Sequence, residues 1–381
     1  MLPPRCFGTS VSNRELLTNE ALSAIIASIA HHINFTMMPA TLSRRTFLSA
    51  VLPTAALGGA LSATTFPNVT ASESQTRPGP FHDRFFKAGI TDRPNDALCE
   101  RWKAAGMDGM EVRDWNVSVE EARKRRILVE KHGLRIHSVM RGWTTFHEPD
   151  QEKWEASIET MRVALRSAAA YGANVVLFAS HELKPLEWPD RWNMEIDFDP
   201  KTLMIKSLLS GNNTPYAESI VKQNRATERA LRAIETLIPD AAKEGVILAL
   251  ENVRDNFWCT PEFFTAVIRH FDSLWVKAYF DFANHQAVAR CEYWLDALGS
   301  EIVKIHVKDH RVDEVKGKRG GGPVTMTRAG HGSTDWLSVR KKLDEVRYHG
   351  WLTLEDGDRA VEESSKILQA FAKGEPVPTW N

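Results

Sequence analysis

Short apolar runs recur along the second half of this chain, and each ends on a polar residue. Val246 to Leu250 lead into Glu251. Val276, Ala278 and Phe280 lead into Asp281, and Ile302, Val303 and Ile305 lead into His306. Trp351, Leu352 and Leu354 lead into Glu355. Runs of this length between polar turns predict buried parallel strands. Val288, Leu295 and Leu298 stand at helical spacing between the second and third runs, which predicts a crossover helix.

The first half alternates in the same way. F-F-K-A-G-I (85–90) reads as the first strand, and 95–105 as a helix closed by Gly106. G-M-E-V (109–112) is a second strand, and the helix 119–131 stops at Gly133, a C-capping residue. L-R-I-H-S-V-M (134–140) is a third strand carrying His137. The helix 154–171 is closed by Gly172, and N-V-V-L-F-A-S (174–180) is a fourth strand running into His181 and Glu182. Such alternation predicts a parallel sheet with covering helices. An insertion at 183–215 holds Trp188 and Trp192, which suit either a lid over a sugar or plain surface packing. The helix 217–243 is expected to be shortened by Pro239. The segment 310–332, with Lys316, Lys318, Arg319 and the run Gly320 to Gly322, is expected to be a mobile solvated loop. Its glycines are no dinucleotide fingerprint, because no strand leads directly into a helix there.

The strand ends carry the chemistry. In a (β/α)8 TIM barrel these ends converge at the mouth, which would bring Glu251, Asp281, His306 and Glu355 together. A lone Glu at a strand end is ordinarily an ion-pair partner, and a lone His a satisfied core residue. Four such residues at four strand ends point instead to a metal site. Three carboxylates and one imidazole suit a hard divalent cation, Mn²⁺ or Mg²⁺, with Zn²⁺ and Co²⁺ as further options.

The chain resembles the xylose isomerase-like TIM-barrel superfamily of sugar isomerases, sugar epimerases and hydroxypyruvate isomerases. The resemblance rests on L-E-N (250–252), D-F-A-N (281–284), H-V-K-D (306–309), G-H-G-S-T-D-W (330–336) and the terminal L-E (354–355). It spans about residues 86–373 and is most specific in the C-terminal half. Ala283 departs from the family's frequent Gly, and Asn284 stands where the ketose 3-epimerase branch has a substrate-binding His, with His285 one position later.

The resemblance implies an α/β, (β/α)8 fold and enolisation of a sugar or keto-sugar. Glu251 and Glu355 would be both metal ligands and the acid–base pair. His306 would bind by one ring nitrogen and be oriented through the other. Lys308 and Arg311 would steady the enediolate, and His137, Asn284 and His285 would meet substrate hydroxyls. Three alternatives remain open: a lyase on a 3-keto-glycoside, an apurinic-site endonuclease-like phosphodiesterase, and a non-catalytic sugar-binding barrel. The endonuclease reading lacks an Asp-x-x-His pair at 281–284 and any basic excess.

Composition adds little against this picture. With 381 residues, 43% hydrophobic, 25% charged and a net charge of −1, the chain has ample core and makes no case for nucleic acid or an anionic membrane. A small carbohydrate is the expected partner, and homo-oligomerisation is left open. No stretch after residue 65 is long and apolar enough to span a bilayer. Upstream, S-R-R-T-F-L-S-A (43–50) followed by the apolar 51–63 reads as a twin-arginine export signal. The leader is placed at 1–65, with Met37 or Met38 as better initiators, a linker at 66–84 and the barrel at 85–381. Export to the periplasm or another extracytoplasmic space is therefore expected. Cys6, Cys99, Cys259 and Cys291 are too scattered for a disulfide framework or a zinc site.

Overall fold

The computed structural model describes residues 85–379, apart from 181–182, 184–185, 254–256 and 356–359. The predicted leader and linker, twin-arginine segment included, lie outside the described residues. In chain order the elements are β1 (Phe85–Thr91), α1 (Asp96–Ala104), β2 (Gly109–Val112), α2 (Val119–Lys131), β3 (Arg135–Thr144), α3 (Gln151–Tyr171) and β4 (Val175–Ser180). A small hairpin follows, β5 (Asp197–Phe198) and β6 (Ile205–Ser207), then α4 (Ala217–Glu244), β7 (Ile247–Glu251), α5 (Pro261–His270), β8 (Val276–Asp281) and α6 (Cys291–Leu298). The chain ends with β9 (Ile302–Val307), β10 (Asp309–Val312), β11 (Val324–Thr327), α7 (Trp336–Glu345), β12 (Gly350–Leu354) and α8 (Val361–Lys373).

Eight strands close a parallel barrel in the order β1-β12-β9-β8-β7-β4-β3-β2. This is a (β/α)8 TIM barrel. The helices begin where side chains can cap them: Asn95, Ser118 and Asp150 each accept a backbone N–H of the first turn of α1, α2 and α3. Left-handed glycines, Gly172 and Gly245, end α3 and α4, a conformation that costs a residue with a Cβ more.

Strand periodicity sorts the side chains between two separate apolar regions. Val176 and Phe178, Leu248 and Leu250, and Ala278 and Phe280 belong to the large core between strands and helices. The intervening Val175, Leu177, Ala249 and Tyr279 form a small cluster of their own. Successive side chains on a strand point to opposite faces, so the small cluster lies inside the barrel. The same alternation turns Glu111, Lys304, His306 and Thr353 inward, because Met110, Val112, Ile305, Val307, Leu352 and Leu354 face the outer core.

Two expectations are corrected. Pro239 does not shorten α4, which continues to Glu244 with the proline inside it. Ile234, Leu237 and Ala241 are fully buried on either side of the proline, so packing of one continuous apolar face outweighs the lost N–H. The segment 310–332 is not an open loop, since its arms pair as the antiparallel hairpin β10–β11.

Candidate metal centre

Pairing register assembles the site. Asp281 on β8 stands opposite His306 on β9, and His306 stands opposite Thr353 on β12. Glu355, just beyond β12, keeps the ladder going by donating its N–H to the Val307 carbonyl at 3.1 Å. Glu251 closes the set from β7. One ligand atom from each of Glu251, Asp281, His306 and Glu355 lies within 4.8 Å of all the others. From His306 Nδ1, Glu251 Oε1 is 3.0 Å away, Glu355 Oε2 3.4 Å and Asp281 Oδ2 4.0 Å.

The L-E-N and D-F-A-N segments hold one another. Asn252 accepts the Asp281 N–H at 2.7 Å and donates to the Asp281 carbonyl at 3.1 Å. The Asp281 Oδ1 accepts the N–H groups of Ala283 and Asn284 at 2.8 and 2.7 Å. That leaves Oδ2 buried and without a hydrogen bond, aimed at the other donors. Lys308 Nζ lies 3.2 Å from this oxygen and donates to Glu355 Oε2 at 2.8 Å.

The electrostatics follow from three carboxylates around one imidazole. Burial works against a charged His306, but Glu111 and Glu355, with hydrogen bonds to Glu111 and Glu251, outweigh it and hold the ring's pKa well above the ordinary value. Burial lifts the Glu251 carboxyl, with His306 opposing. Burial also acts upward on Glu355, yet His306 and Lys308 bring it below the usual range. Lys308 is penalised by burial and rescued by Asp281 and Glu355, which together raise its pKa. The arrangement is one of concentrated negative charge, with the His306 ring and the Lys308 ammonium set among the carboxylates. Oxygen-rich donors, a buried carboxylate oxygen that makes no hydrogen bond and one imidazole fit a hard divalent cation.

A family model described as the xylose isomerase-like TIM barrel matches residues 99–371. The chain belongs to this family. Its fold is shared by 3-keto-D-glucoside 4-epimerase from E. coli at 15% identity and TM-score 0.51, covering 76% of this chain and 97% of that one. D-psicose 3-epimerase, solved in the presence of D-fructose, gives 13% identity and TM-score 0.55 over 76% and 99% of the two chains. A xylose isomerase-like TIM barrel protein from Mycobacterium smegmatis in complex with magnesium gives 16% and 0.53 over 78% and 99%. No curated protein matches the chain in sequence.

In this xylose isomerase-like barrel the G-H-G-S-T-D-W segment is a clasp on Asp309, which opens β10 just beyond the strand that carries His306. The Asp309 carboxylate accepts the N–H of Gly332 at 2.8 Å and of Thr334 at 3.2 Å, and the Thr334 hydroxyl at 2.7 Å. A Cβ on Gly332 would collide with Asp309 Oδ1 and the His310 carbonyl oxygen, so the clasp requires glycine. Asp335 then caps α7 by accepting the Ser338 N–H at 3.0 Å.

The remaining candidates divide. Lys308 joins the centre, and Asn284 donates to Glu251 Oε1 at 3.4 Å. His285 does not present itself to the centre: it is buried and stacked on Trp294 of α6, ring centroids 5.2 Å apart. His137 also misses the mouth, lying inside the barrel stacked on Trp351 at 4.3 Å and bonded to Thr353 Oγ1 at 3.0 Å. Arg311 sits exposed on the β10–β11 hairpin opposite Thr325, because β10 begins beyond the barrel. Residue spacing cannot distinguish these outcomes, since each depends on where a strand stops.

Glu111 was missed. It lies on β2, well upstream, within a four-residue strand, and its one signal is an acid in the middle of an apolar run. A cleft of about 610 Å³ lies between α2 and α3, away from the strand ends. A smaller one of about 200 Å³ reaches Glu355 alongside Thr91 and Arg113. Trp192 lines a crevice of about 340 Å³ with Arg319, between the two inserted segments.

Proposed function

We propose that this protein is a divalent-metal-dependent isomerase or epimerase of a sugar or keto-sugar, acting by proton abstraction next to a carbonyl. The observation that carries the reading is the convergence of Glu251, Asp281, His306 and Glu355 within 4.8 Å. The solved structures named above as a 3-keto-D-glucoside 4-epimerase and a D-psicose 3-epimerase support the substrate class, and the magnesium complex supports a hard cation. Mg²⁺ or Mn²⁺ would be held by those four residues. Bound there, it would polarise a carbonyl and acidify the neighbouring C–H.

The protein's own part is the movement of a proton. Glu251 and Glu355 sit in different surroundings: one is buried with a raised pKa, and the other is partly open and paired to Lys308. With both carboxylates at the substrate's edge of the centre, one would take the proton and the other return one. Lys308 stays charged beside Glu355 and Asp281, where it can also steady negative charge on an oxygen. Among the described residues no second group of metal donors accompanies the four, and no observation favours the phosphodiesterase reading. The work would be done outside the cytoplasm if the twin-arginine segment acts as an export signal.

The test is deuterium uptake. Metal-stripped protein reloaded with Mg²⁺ or Mn²⁺ is incubated in D₂O with D-psicose, D-fructose and 3-keto-glucosides, and products are read by mass spectrometry. Incorporation next to the carbonyl is expected, whether the product is an epimer, an isomer or an elimination product. Glu355→Gln should lose it by ~10²–10⁴-fold with metal still bound. Full exchange in that variant overturns the two-carboxylate mechanism, and no exchange with any substrate overturns the enolisation reading.

A further inference from the structure

An imidazole ligates metal reproducibly only when its second nitrogen is committed elsewhere. His306 Nε2 lies 2.8 Å from Glu111 Oε2, and neither side chain has any solvent exposure. Glu111 is held in turn. The Tyr279 hydroxyl donates to the same Oε2 at 2.8 Å, and Ser138 Oγ donates to Oε1 at 3.4 Å. Tyr279 also reaches Thr353 Oγ1 at 3.4 Å, which contacts His137 Nε2 at 3.0 Å.

This polar chain occupies a barrel interior that such folds ordinarily fill with branched apolar side chains. A leucine at position 111 would pack there without desolvating a carboxylate, so packing does not account for Glu111. Its partners do. With Glu111 Oε2 accepting from Nε2, the other ring nitrogen, Nδ1, is the one that faces Glu251, Glu355 and Asp281.

We infer that Glu111 is the positioning residue of the metal centre: it fixes His306 as the Nε2–H tautomer and so presents Nδ1 to the cation, with Tyr279 anchoring Glu111. The inference rests on the reading that the four strand-end residues hold a divalent cation. It adds a residue from β2, on the far side of the barrel closure, to a site otherwise built from β7, β8, β9 and β12.

The experiment uses the full chain, stripped with a chelator and titrated with Co²⁺ or Zn²⁺ alone. Affinity is read by calorimetry, the coordination sphere by Co²⁺ visible absorption, and the His306 tautomer by ¹⁵N long-range NMR of the Zn²⁺ form. The wild type should show a protonated Nε2 and a metal-bound Nδ1. Glu111→Leu should weaken binding ~10–100-fold, with a changed Co²⁺ spectrum. Glu111→Gln, which keeps an acceptor oxygen and the volume, should recover part of that loss. Tyr279→Phe should weaken binding by a smaller factor, since it frees Glu111 without removing it. If Glu111→Leu does not fold, the two volume-conserving variants decide. Unchanged affinity in both of them, or a protonated Nδ1 in the wild type, overturns the assignment. A loss of melting temperature with affinity and tautomer intact would make Glu111 merely structural, and also overturns it. A wild type that binds neither cation overturns the metal-centre reading itself, a separate and recognisable result.

Discussion

Replacing Lys308 by Met tests whether this lysine acts as the counter-charge of the metal-free centre. Its Nζ lies 2.8 Å from Glu355 Oε2 and 3.2 Å from Asp281 Oδ2. Removing one partner of a buried ion pair costs ~3–5 kcal/mol, because the other charge stays buried and unpaired. Here the lower end applies. The Glu355 side chain is 27% exposed, so water relieves it, and Asp281 keeps two backbone donors on Oδ1. A loss of ~3 kcal/mol in a barrel of this size corresponds to a fall of about 6 °C in Tm. A divalent cation supplies the missing positive charge, so the deficit should shrink to a degree or two when Mg²⁺ or Mn²⁺ is saturating. The variant should also bind the cation at least ~10-fold more tightly, as one repelling charge is gone, equivalent to ~1.4 kcal/mol. Thermal unfolding followed by circular dichroism, with chelator and with metal, gives the first quantity, and calorimetric titration the second. An equal Tm deficit in both conditions, or weaker metal binding in Lys308→Met, refutes the reasoning. Lys308 would then be arranging the carboxylates rather than balancing them.

Lys304 is a buried lysine beside the Trp351 ring, and burial pushes its pKa down to about 7, with Glu111 opposing. The folded pKa is below the unfolded one, so the unfolded chain binds the extra proton between about pH 7 and 10.5 and stability should rise with pH across that window. Lys304→Met should remove a penalty of up to ~5 kcal/mol below pH 7, raising Tm there and flattening the slope. An unchanged slope in a pH series of melting curves would contradict this. Replacing Arg44 and Arg45 by Lys should strand the precursor in the cytoplasm, checked by cell fractionation. Undiminished export would require another signal.

The strand-end residues were legible in the sequence because two simple regularities coincide there. Buried parallel strands are nearly unbroken apolar runs, and the first polar residue after such a run marks the barrel mouth. Glu251, Asp281, His306 and Glu355 all stand at that point. His285 and Arg311 stand just past it, where direction is set by the turn: one folds back against Trp294 and the other rides out on a hairpin. Glu111 was illegible for a different reason. Its partner His306 is 195 residues away in sequence, and only closure of the barrel between β1 and β12 brings β2 round to face β9 across the interior. Pro239 misled because a local penalty was weighed without the tertiary face that overrides it.

The small apolar cluster of Val175, Leu177, Ala249 and Tyr279 has a consequence for how such a protein can change over generations. The fully buried members of that cluster come from the β4, β7 and β8 staves, with Met140 of β3 and Val303 of β9 packed against them, whereas the staves β2, β9 and β12 contribute Glu111, Lys304, His306 and Thr353. One flank keeps the cylinder shut by exclusion of water, and the other is free to carry polar machinery. Mutational drift at Lys304 or Thr353, which lie outside the donor set, can change the polar lining without unzipping the barrel. Drift on the greasy flank loosens the closure on which the opposite wall depends. Novelty in this molecule should therefore accumulate lopsidedly, on one half of its circumference.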